Sequence, residues 1–153
     1  MIPISLGVPV RNGERFLESA LNTILSQSFQ NFEVIISDNA SIDNTNLICE
    51  KIMQVDKRVK YIKNEWNIGA AANFNQVFEM SSGKYFKWAA HDDLLENTFL
   101  EKCYKCLEND NGVVLCFTRV KIIDEKSEII KEYPKLLFNT NCSVASKRFS
   151  DLI

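Results

Sequence analysis

Three times within the first hundred residues a short apolar run halts at a polar turn, and that repetition restricts the fold more than any other feature. Residues 2–10 (Ile-Pro-Ile-Ser-Leu-Gly-Val-Pro-Val) give way to Arg11-Asn12-Gly13-Glu14. Residues 33–38 finish on the carboxylate of Asp38 and continue as Asn39-Ala40-Ser41. Residues 83–90 run through three aromatics to His91-Asp92-Asp93. Short runs rich in branched and aromatic side chains read as buried strands. The segments between them carry helical spacing instead. Phe16, Leu17, Ala20, Leu21, Ile24 and Leu25 fall on one face of a helix over 15–28, and Leu47, Ile48, Ile52 and Val55 are expected inward on a helix over 45–55. A short strand at 59–62 and helices over 70–78 and 98–108 complete the alternation. Strands separated by helices of this length imply parallel crossovers. The expected fold is therefore α/β, a doubly wound, mostly parallel sheet of Rossmann-like type.

Individual residues sharpen this outline. Pro9 has no N–H to donate and is expected to end the first ladder. Asn12 and Gly13 suit left-handed backbone in the first turn, and Gly83 suits the residue that ends a helix. Residues 113–117 read as a further strand, and residues 120–130 as a C-terminal hairpin with Asp124 and Glu125 at its tip. Beyond Tyr133-Pro134 the pattern fades, although Leu136, Leu137 and Phe138 are apolar.

The 153 residues suffice for one ordinary domain, and no repeat, low-complexity tract or linker divides them. With 18 basic against 20 acidic side chains, the chain has no electrostatic footprint for nucleic acid or anionic membrane. No apolar run reaches the length of a transmembrane helix, and the start lacks the basic-then-apolar layout of a signal peptide. Cys49, Cys103, Cys106, Cys116 and Cys142 are odd in number and irregular in spacing, which argues against a disulfide framework and suits a reducing compartment. The expected location is cytoplasmic, free or at the cytoplasmic face of a membrane. Cys103-x-x-Cys106 has no second Cys/His pair beside it, and helix packing explains it better than zinc.

In a parallel sheet the carboxyl ends of the strands share one edge, and ligands bind in the crevice beyond it. An ionised carboxylate is costly to bury without a partner, so the strand-end acids are expected where the chain leaves the core. Asp38 could accept a hydrogen bond from a base or a ribose hydroxyl. Asp92 could ligate a hard divalent cation, since Mg²⁺ and Mn²⁺ prefer carboxylate oxygens and bridge to phosphates. Neither a G-x-G-x-x-G fingerprint nor a Gly-rich loop with Lys-Ser/Thr is present, so a diphosphate would be neutralised chiefly by metal. On its own, Asp92-Asp93 is equally well explained as a strand end followed by an acidic helix start. His91, the sole histidine, either donates to a phosphate or metal or shapes its loop. Trp66 either flanks a base or sugar or is an ordinary surface aromatic. Two other classes fit acids at strand ends: a scaffold that keeps only the fold, and a phospho-acceptor signalling domain, which the absence of a suitably placed lysine disfavours.

Taken in order, these segments resemble the nucleotide-binding half of a family 2 glycosyltransferase with the GT-A fold. Val8-Pro9-Val10-Arg11-Asn12-Gly13-Glu14-Arg15-Phe16-Leu17 resembles the family's opening P-x-Y-N-x-x-x-x-L. Residues 26–45, from Ser26-Gln27-Ser28-Phe29 through Phe32-Glu33-Val34-Ile35-Ile36-Ser37-Asp38 to Ser41-Ile42-Asp43-Asn44-Thr45, resemble Q-T/S-Y/F-x-x-F/W-E-I-I-V-D-D-G-S-x-D-x-T. Asn67-x-Gly69, Asn75 and Gly83 then lead to Asp92-Asp93 at the separation of N-x-G…R-N…G-x-Y…D-A-D-D. The match covers roughly the first 110 residues; each segment is weak alone, and the ordered set is specific.

The resemblance implies a transferase that moves a sugar, with inversion, from a nucleoside-diphosphate sugar to an acceptor hydroxyl on a saccharide or lipid-linked glycan. Pro9, Arg11, Asn12, Glu14, Asp38, Asn39, Ser41, Asn67, Ala90 and His91 would then line the nucleotide site. Asp92, matching the last acid of D-x-D, would hold Mn²⁺ or Mg²⁺ against the diphosphate. The catalytic base would lie in an acceptor half beyond Ile153, making residues 1–153 one GT-A domain truncated before that half is complete. Five departures stand out. Ala90 replaces the first acid of D-x-D, Asn39 the second acid of D-D-G-S and Ala40 its glycine. Arg11 replaces the tyrosine, and Phe74 an arginine near the donor.

Overall fold

The computed structural model describes residues 2–133; Leu136, Leu137, Phe138 and Cys142 lie outside them. The chain divides into two compact units, Met1–Lys105 and Cys106–Ile153. In the first, β1 (Ile4–Val10), α1 (Leu17–Leu25), β2 (Phe32–Asp38), α2 (Thr45–Val55), β3 (Val59–Lys63), α3 (Ala70–Glu79) and β4 (Tyr85–Trp88) alternate as expected, and α4 (Phe99–Asn109) begins there. The strands form one parallel sheet in the order β3-β2-β1-β4. The order reverses direction beside β1, which creates the crevice between β1 and β4 where open α/β sheets bind ligands.

β1 and β2 are the central strands, and all seven residues of each are buried. Successive side chains alternate between faces. Leu6, Val8 and Val10 of β1 share a core with Val34 and Ile36 of β2, Leu17, Leu21 and Ile24 of α1, Cys49 and Ile52 of α2, and Leu100 of α4. The opposite face belongs to α3. Gly7 permits that contact, because a Cβ there would stand 2.6 Å from Val77 Cγ2 and 2.7 Å from Phe86 Cζ.

Several expectations are corrected. β1 does not end at Pro9: the pairing with β2 continues from Pro9 opposite Ser37 to Val10 opposite Asp38. The Gly7 carbonyl accepts from Ala89 N–H on the β4 side, and the Val10 carbonyl accepts from Asn39 N–H on the β2 side. Alternation therefore turns the Pro9 nitrogen toward β4, which has already ended at Trp88, and the missing N–H forfeits no bond. On α2 the buried stripe is Thr45, Cys49 and Ile52, whereas Leu47 and Val55 are 58% and 80% exposed. At about 100° per residue Leu47 lies on the far side of that stripe, and Val55 occupies its flank in the last turn. Gly83 is not a left-handed helix end. Its Cβ would meet Ser5 N and Oγ at 2.6 Å, so it is small because β1 passes directly over it.

In the second unit, β5 (Lys121–Ile123) and β6 (Ile129–Glu132) make the expected antiparallel hairpin. Asp124 Oδ1 accepts from Lys126 N–H and Glu128 N–H and closes the turn. Residues 113–117 join neither sheet, and Val114 and Leu115 are exposed. An apolar run becomes a strand only when a neighbouring ladder accepts it, and no described segment does so here.

At the amino edge of the sheet, opposite the crevice, a buried carboxylate ties all four strands together. Glu33 accepts from Ser5 Oγ of β1 at 2.6 Å, from Ser82 N–H and Oγ just before β4, and from Lys60 Nζ of β3 at 2.8 Å. Burial alone would raise its pKa. The hydrogen bonds from Lys60, Ser5 and Ser82 outweigh that and hold it down at about 2, against an ordinary 4.5. A depressed folded-state pKa stabilises above the unfolded value and ceases to do so as pH falls through the folded one. Glu33→Gln should therefore cost about 2 kcal/mol at pH 7. In urea denaturation, the gap between the two proteins should narrow as pH falls from 4.5 toward 2; a gap independent of pH would contradict this account.

Candidate functional site

The carboxyl ends of β1, β2 and β4 emerge on one edge, as the parallel pairing requires. The polar residues gathered there divide into two groups by what they touch.

The first group is a latch between two turns. Asn12 N–H donates to Ser41 Oγ at 2.8 Å, and Ile42 N–H donates back to Asn12 Oδ1 at 3.0 Å. Glu14 N–H donates to Asp43 Oδ2, and Asn44 N–H donates to Glu14 Oε2 at 2.9 Å. Gly13 N–H donates to Thr45 Oγ1 at 2.8 Å. Beneath them Asp38, fully buried, accepts from Ser41 N–H at 2.8 Å and from the Tyr61 hydroxyl at 3.0 Å. Burial and the Asp38 charge both push the Tyr61 phenol up, so it remains a donor. Asp43 feels burial upward, but the hydrogen bonds from Thr45 and Glu14 prevail and lower it. Asn12, Glu14, Asp38 and Ser41 are thus engaged within and between the two turns and are not on the cleft wall. Asn12 takes the left-handed backbone expected of it (φ 54°), whereas Gly13 does not. A Cβ on Gly13 would instead meet Val10 Cγ2 at 2.6 Å and His91 Cδ2 at 3.0 Å, so this glycine makes room for the histidine ring.

The second group lines a cleft of about 440 Å³. Pro9, Arg11, Asn39, Asn67, Ala90, His91 and Asp92 are all on its wall, so seven of the eleven anticipated site residues converge. Arg11, His91 and Asp92 make no hydrogen bond or ion pair with any described residue. Arg11 and Asp92 are exposed, and His91 is half-buried. Gly69, Ala70, Asn73 and Phe74 complete the wall from α3. Asn73 is held by Ser37: the Ser37 hydroxyl donates to Asn73 Oδ1 at 2.6 Å, and Asn73 Nδ2 donates to the Ser37 carbonyl at 3.0 Å. Trp88 Nε1–H donates to the Phe74 carbonyl at 3.0 Å and ties α3 to the end of β4. Trp66 is 67% exposed and off the wall. Sequence reasoning overlooked Tyr61, and it read Asn73 only with Ala70-Ala71-Ala72, as a helix start that either approaches phosphate or packs closely, not as the partner of Ser37. The available signal was an asparagine four residues before Val77 on the buried stripe of α3, where a polar group needs a partner.

No cluster of three or more potential metal ligands occurs among the described residues. Asp92 alone offers the cleft an unengaged carboxylate, with Asp93 adjacent and exposed. That arrangement fits a cation which takes most of its ligands from a phosphorylated substrate and water, as Mg²⁺ and Mn²⁺ do, rather than an all-protein cage.

The model of glycosyl transferase family 2 matches residues 5–149. The chain belongs to that family. It is 34% identical over 121 residues to an uncharacterized glycosyltransferase of Methanocaldococcus jannaschii, covering 78% of this chain and 42% of that protein. To glycosyltransferase GlyG of Streptococcus pneumoniae it is 34% identical over 113 residues, covering 73% and 38%. It therefore spans less than half the length of these relatives. Among solved structures, residues 1–349 of S. aureus TarS superpose with a TM-score of 0.66 at 25% identity, over 70% of this chain and 32% of that one. A mannosyltransferase from Pyrobaculum calidifontis, in complex with GDP-Man and Mn²⁺, superposes at 0.56 and 21% identity, over 60% and 28%; this likeness shows the fold alone. The family fold is GT-A, and the four-stranded parallel sheet with helices on both faces conforms to it. No described helix is long and apolar enough to cross a membrane.

One departure in the latch has a measurable cost. Ala40 stands at φ 56°, in the left-handed region where a Cβ is strained. Ala40→Gly should raise stability by ~0.5–1 kcal/mol in chemical denaturation, the relief of strain exceeding the added freedom of the unfolded chain. A destabilised variant would show that the turn is not strained.

Proposed function

We propose that this chain is the donor-binding part of an enzyme that transfers a sugar from a nucleoside-diphosphate sugar to an acceptor hydroxyl. The observation that carries this reading is the cleft at the β1/β4 crevice, where the side chains of Arg11, His91 and Asp92 and the amide nitrogen of Asn67 have no partner among the described residues. Buried polar groups find partners in folded proteins, and unpaired groups in a concave site are where a ligand is expected. TarS has been crystallised with UDP and with UDP-GlcNAc, which agrees with a nucleotide-sugar partner.

In the proposed complex, Arg11 and the amino end of α3 attract the diphosphate, because unpaired helix N–H groups favour anions. Asp92 would hold a divalent cation, Mn²⁺ or Mg²⁺, which when bound would supply neutralisation of the diphosphate charge. His91, packed over Gly13, donates to a phosphate oxygen. Asp38 fixes the floor of the base pocket through Ser41 and Tyr61. Transfer proceeds with inversion: the acceptor oxygen bonds to the anomeric carbon, the bond from that carbon to the phosphate oxygen breaks, and the acceptor proton passes to a carboxylate base. The proposal assigns that base to an acceptor-binding segment beyond Ile153, the acceptor to the saccharides or lipid-linked glycans, and the reaction to polysaccharide biosynthesis in the cytoplasm, free or at a membrane face. A second reading, a nucleotide-sugar-binding domain without catalysis, is favoured by Ala90, which leaves Asp92 as the only carboxylate on the cleft wall among the described residues.

Calorimetry with UDP and GDP in MnCl₂ should show binding that weakens at least tenfold in Asp92→Ala or on chelation of the metal. Absence of binding with either nucleotide would overturn the reading. Release of sugar from the donor, or its transfer to an added acceptor, would exclude the non-catalytic alternative.

A further inference from the structure

Just past the end of α1, Gln27 is fully buried, and it is not on the cleft wall. A buried amide needs partners at both ends. Leu100 N–H donates to Gln27 Oε1 at 3.0 Å, which turns Nε2 toward two carbonyls, that of Glu96 at 2.9 Å and that of Thr23 at 3.1 Å. A backbone N–H can only donate, so flipping this amide would set donor against donor. Around it, Leu95 N–H donates to Thr23 Oγ1 at 3.1 Å, Ser28 N–H to the Asn97 carbonyl at 2.9 Å, and Asn97 Nδ2 to the Ser26 carbonyl. The end of α1 is thereby stitched to residues 95–100.

Those residues are the exit of the loop that carries Asp92. Its entrance is fixed as well, since Ala89 N–H donates to the Gly7 carbonyl of β1 at 2.8 Å. Between the two anchors, residues 90–94 make no hydrogen bond with any described residue. Their path is set by the anchors and by the His91 ring against Gly13.

We infer that Gln27 is a positioning residue for Asp92: it pins the exit of this loop, so that the carboxylate stands at the cleft before any ligand arrives. The inference rests on the reading above that Asp92 would hold a divalent cation, and adds what keeps Asp92 in place. A loop anchored at one end must be ordered each time a ligand binds, at the expense of affinity, whereas a loop anchored at both is ordered on folding. An amide is what the seat requires, because it offers one acceptor to Leu100 and two donors to Glu96 and Thr23. Methionine, of similar size, would make none of these bonds and would bury no charge.

The test measures UDP and GDP binding to the full chain by calorimetry, in MnCl₂ and in EDTA, and takes the ratio of the two affinities as the gain from the metal. Gln27→Met should reduce that gain roughly tenfold, as loss of a group that orients a metal ligand does, with affinity in EDTA within about twofold of the wild type. Thr23→Val, which removes the acceptor of Leu95 N–H, should reduce the gain in the same direction. Thermal melts establish that each variant is folded, and if Gln27→Met is not, Thr23→Val decides. Glu33→Gln, at the opposite edge of the sheet, should lower the melting temperature and leave the gain unchanged, which separates positioning from lost stability. A gain reduced as much in Glu33→Gln, a gain unchanged in both loop-exit variants, or affinity lost equally with and without metal would overturn the inference alone. A wild type that binds no better in MnCl₂ than in EDTA would overturn it together with the cation reading.

Discussion

The structure depends on hydrogen bonds that join the first two strand-to-helix turns at the carboxyl edge of the sheet. Both turns leave buried strands, and their backbone N–H groups must be paired where the chain turns away from water. Residues 12–14 of the first turn find no partner within it, and the second turn pairs Ala40, Ser41 and Thr45 within itself but not Ile42 or Asn44. Ser41, Asp43 and Thr45 accept from residues 12–14, and Asn12 and Glu14 accept from residues 42 and 44. Removing one turn would orphan the donors of the other, so the two are held in fixed register above Asp38.

That mutual satisfaction defines the cleft by exclusion. Because the latch consumes Asn12, Glu14, Ser41 and both Asp38 oxygens, the groups left for a ligand come from its neighbours: Arg11 at the end of β1, His91 and Asp92 after β4, and Asn67 before α3. The same economy works one layer down. Ser37, Asn73, Gln76 and Asn64 bond among themselves beneath α3, and no buried side-chain polar atom among the described residues is unpartnered. A wall so fully paired is rigid, and a rigid wall is what lets a few exposed polar groups discriminate between ligands.

Much of this was legible in the residues. The apolar runs ending at Val10, Asp38 and Ala90 marked the strands and the rim, because buried parallel strands leave an unmistakable composition and their ends face one way. The ordered motifs around Pro9, Asp38 and Asp92 indicated the family. What could not be read was which polar side chains face one another. Asp38 and Asp92 look alike in the sequence, yet one is sealed beneath Ser41 and Tyr61 and the other is open, because that difference depends on contacts 23 or more residues apart for Tyr61. Gly83 and Gly13 were misread for a related reason. Their smallness answers the approach of Ser5 and His91, which local spacing does not encode. Leu47 and Val55 are apolar without being buried, and only the placement of Cys49 and Ile52 against the sheet reveals the true stripe of α2.

The central claim is that a diphosphate and its cation settle on the unpaired groups of one cleft while the latch stays closed behind them. Paramagnetic broadening by Mn²⁺ measures this directly. In a ¹⁵N-labelled sample containing nucleoside diphosphate, the amide signals of residues 90–92 should broaden first, with those of residues 11 and 67–70 next and those of Glu33 and Ser82 at the amino edge of the sheet least affected. Broadening centred on any other acidic surface, or uniform across the chain, would contradict the account.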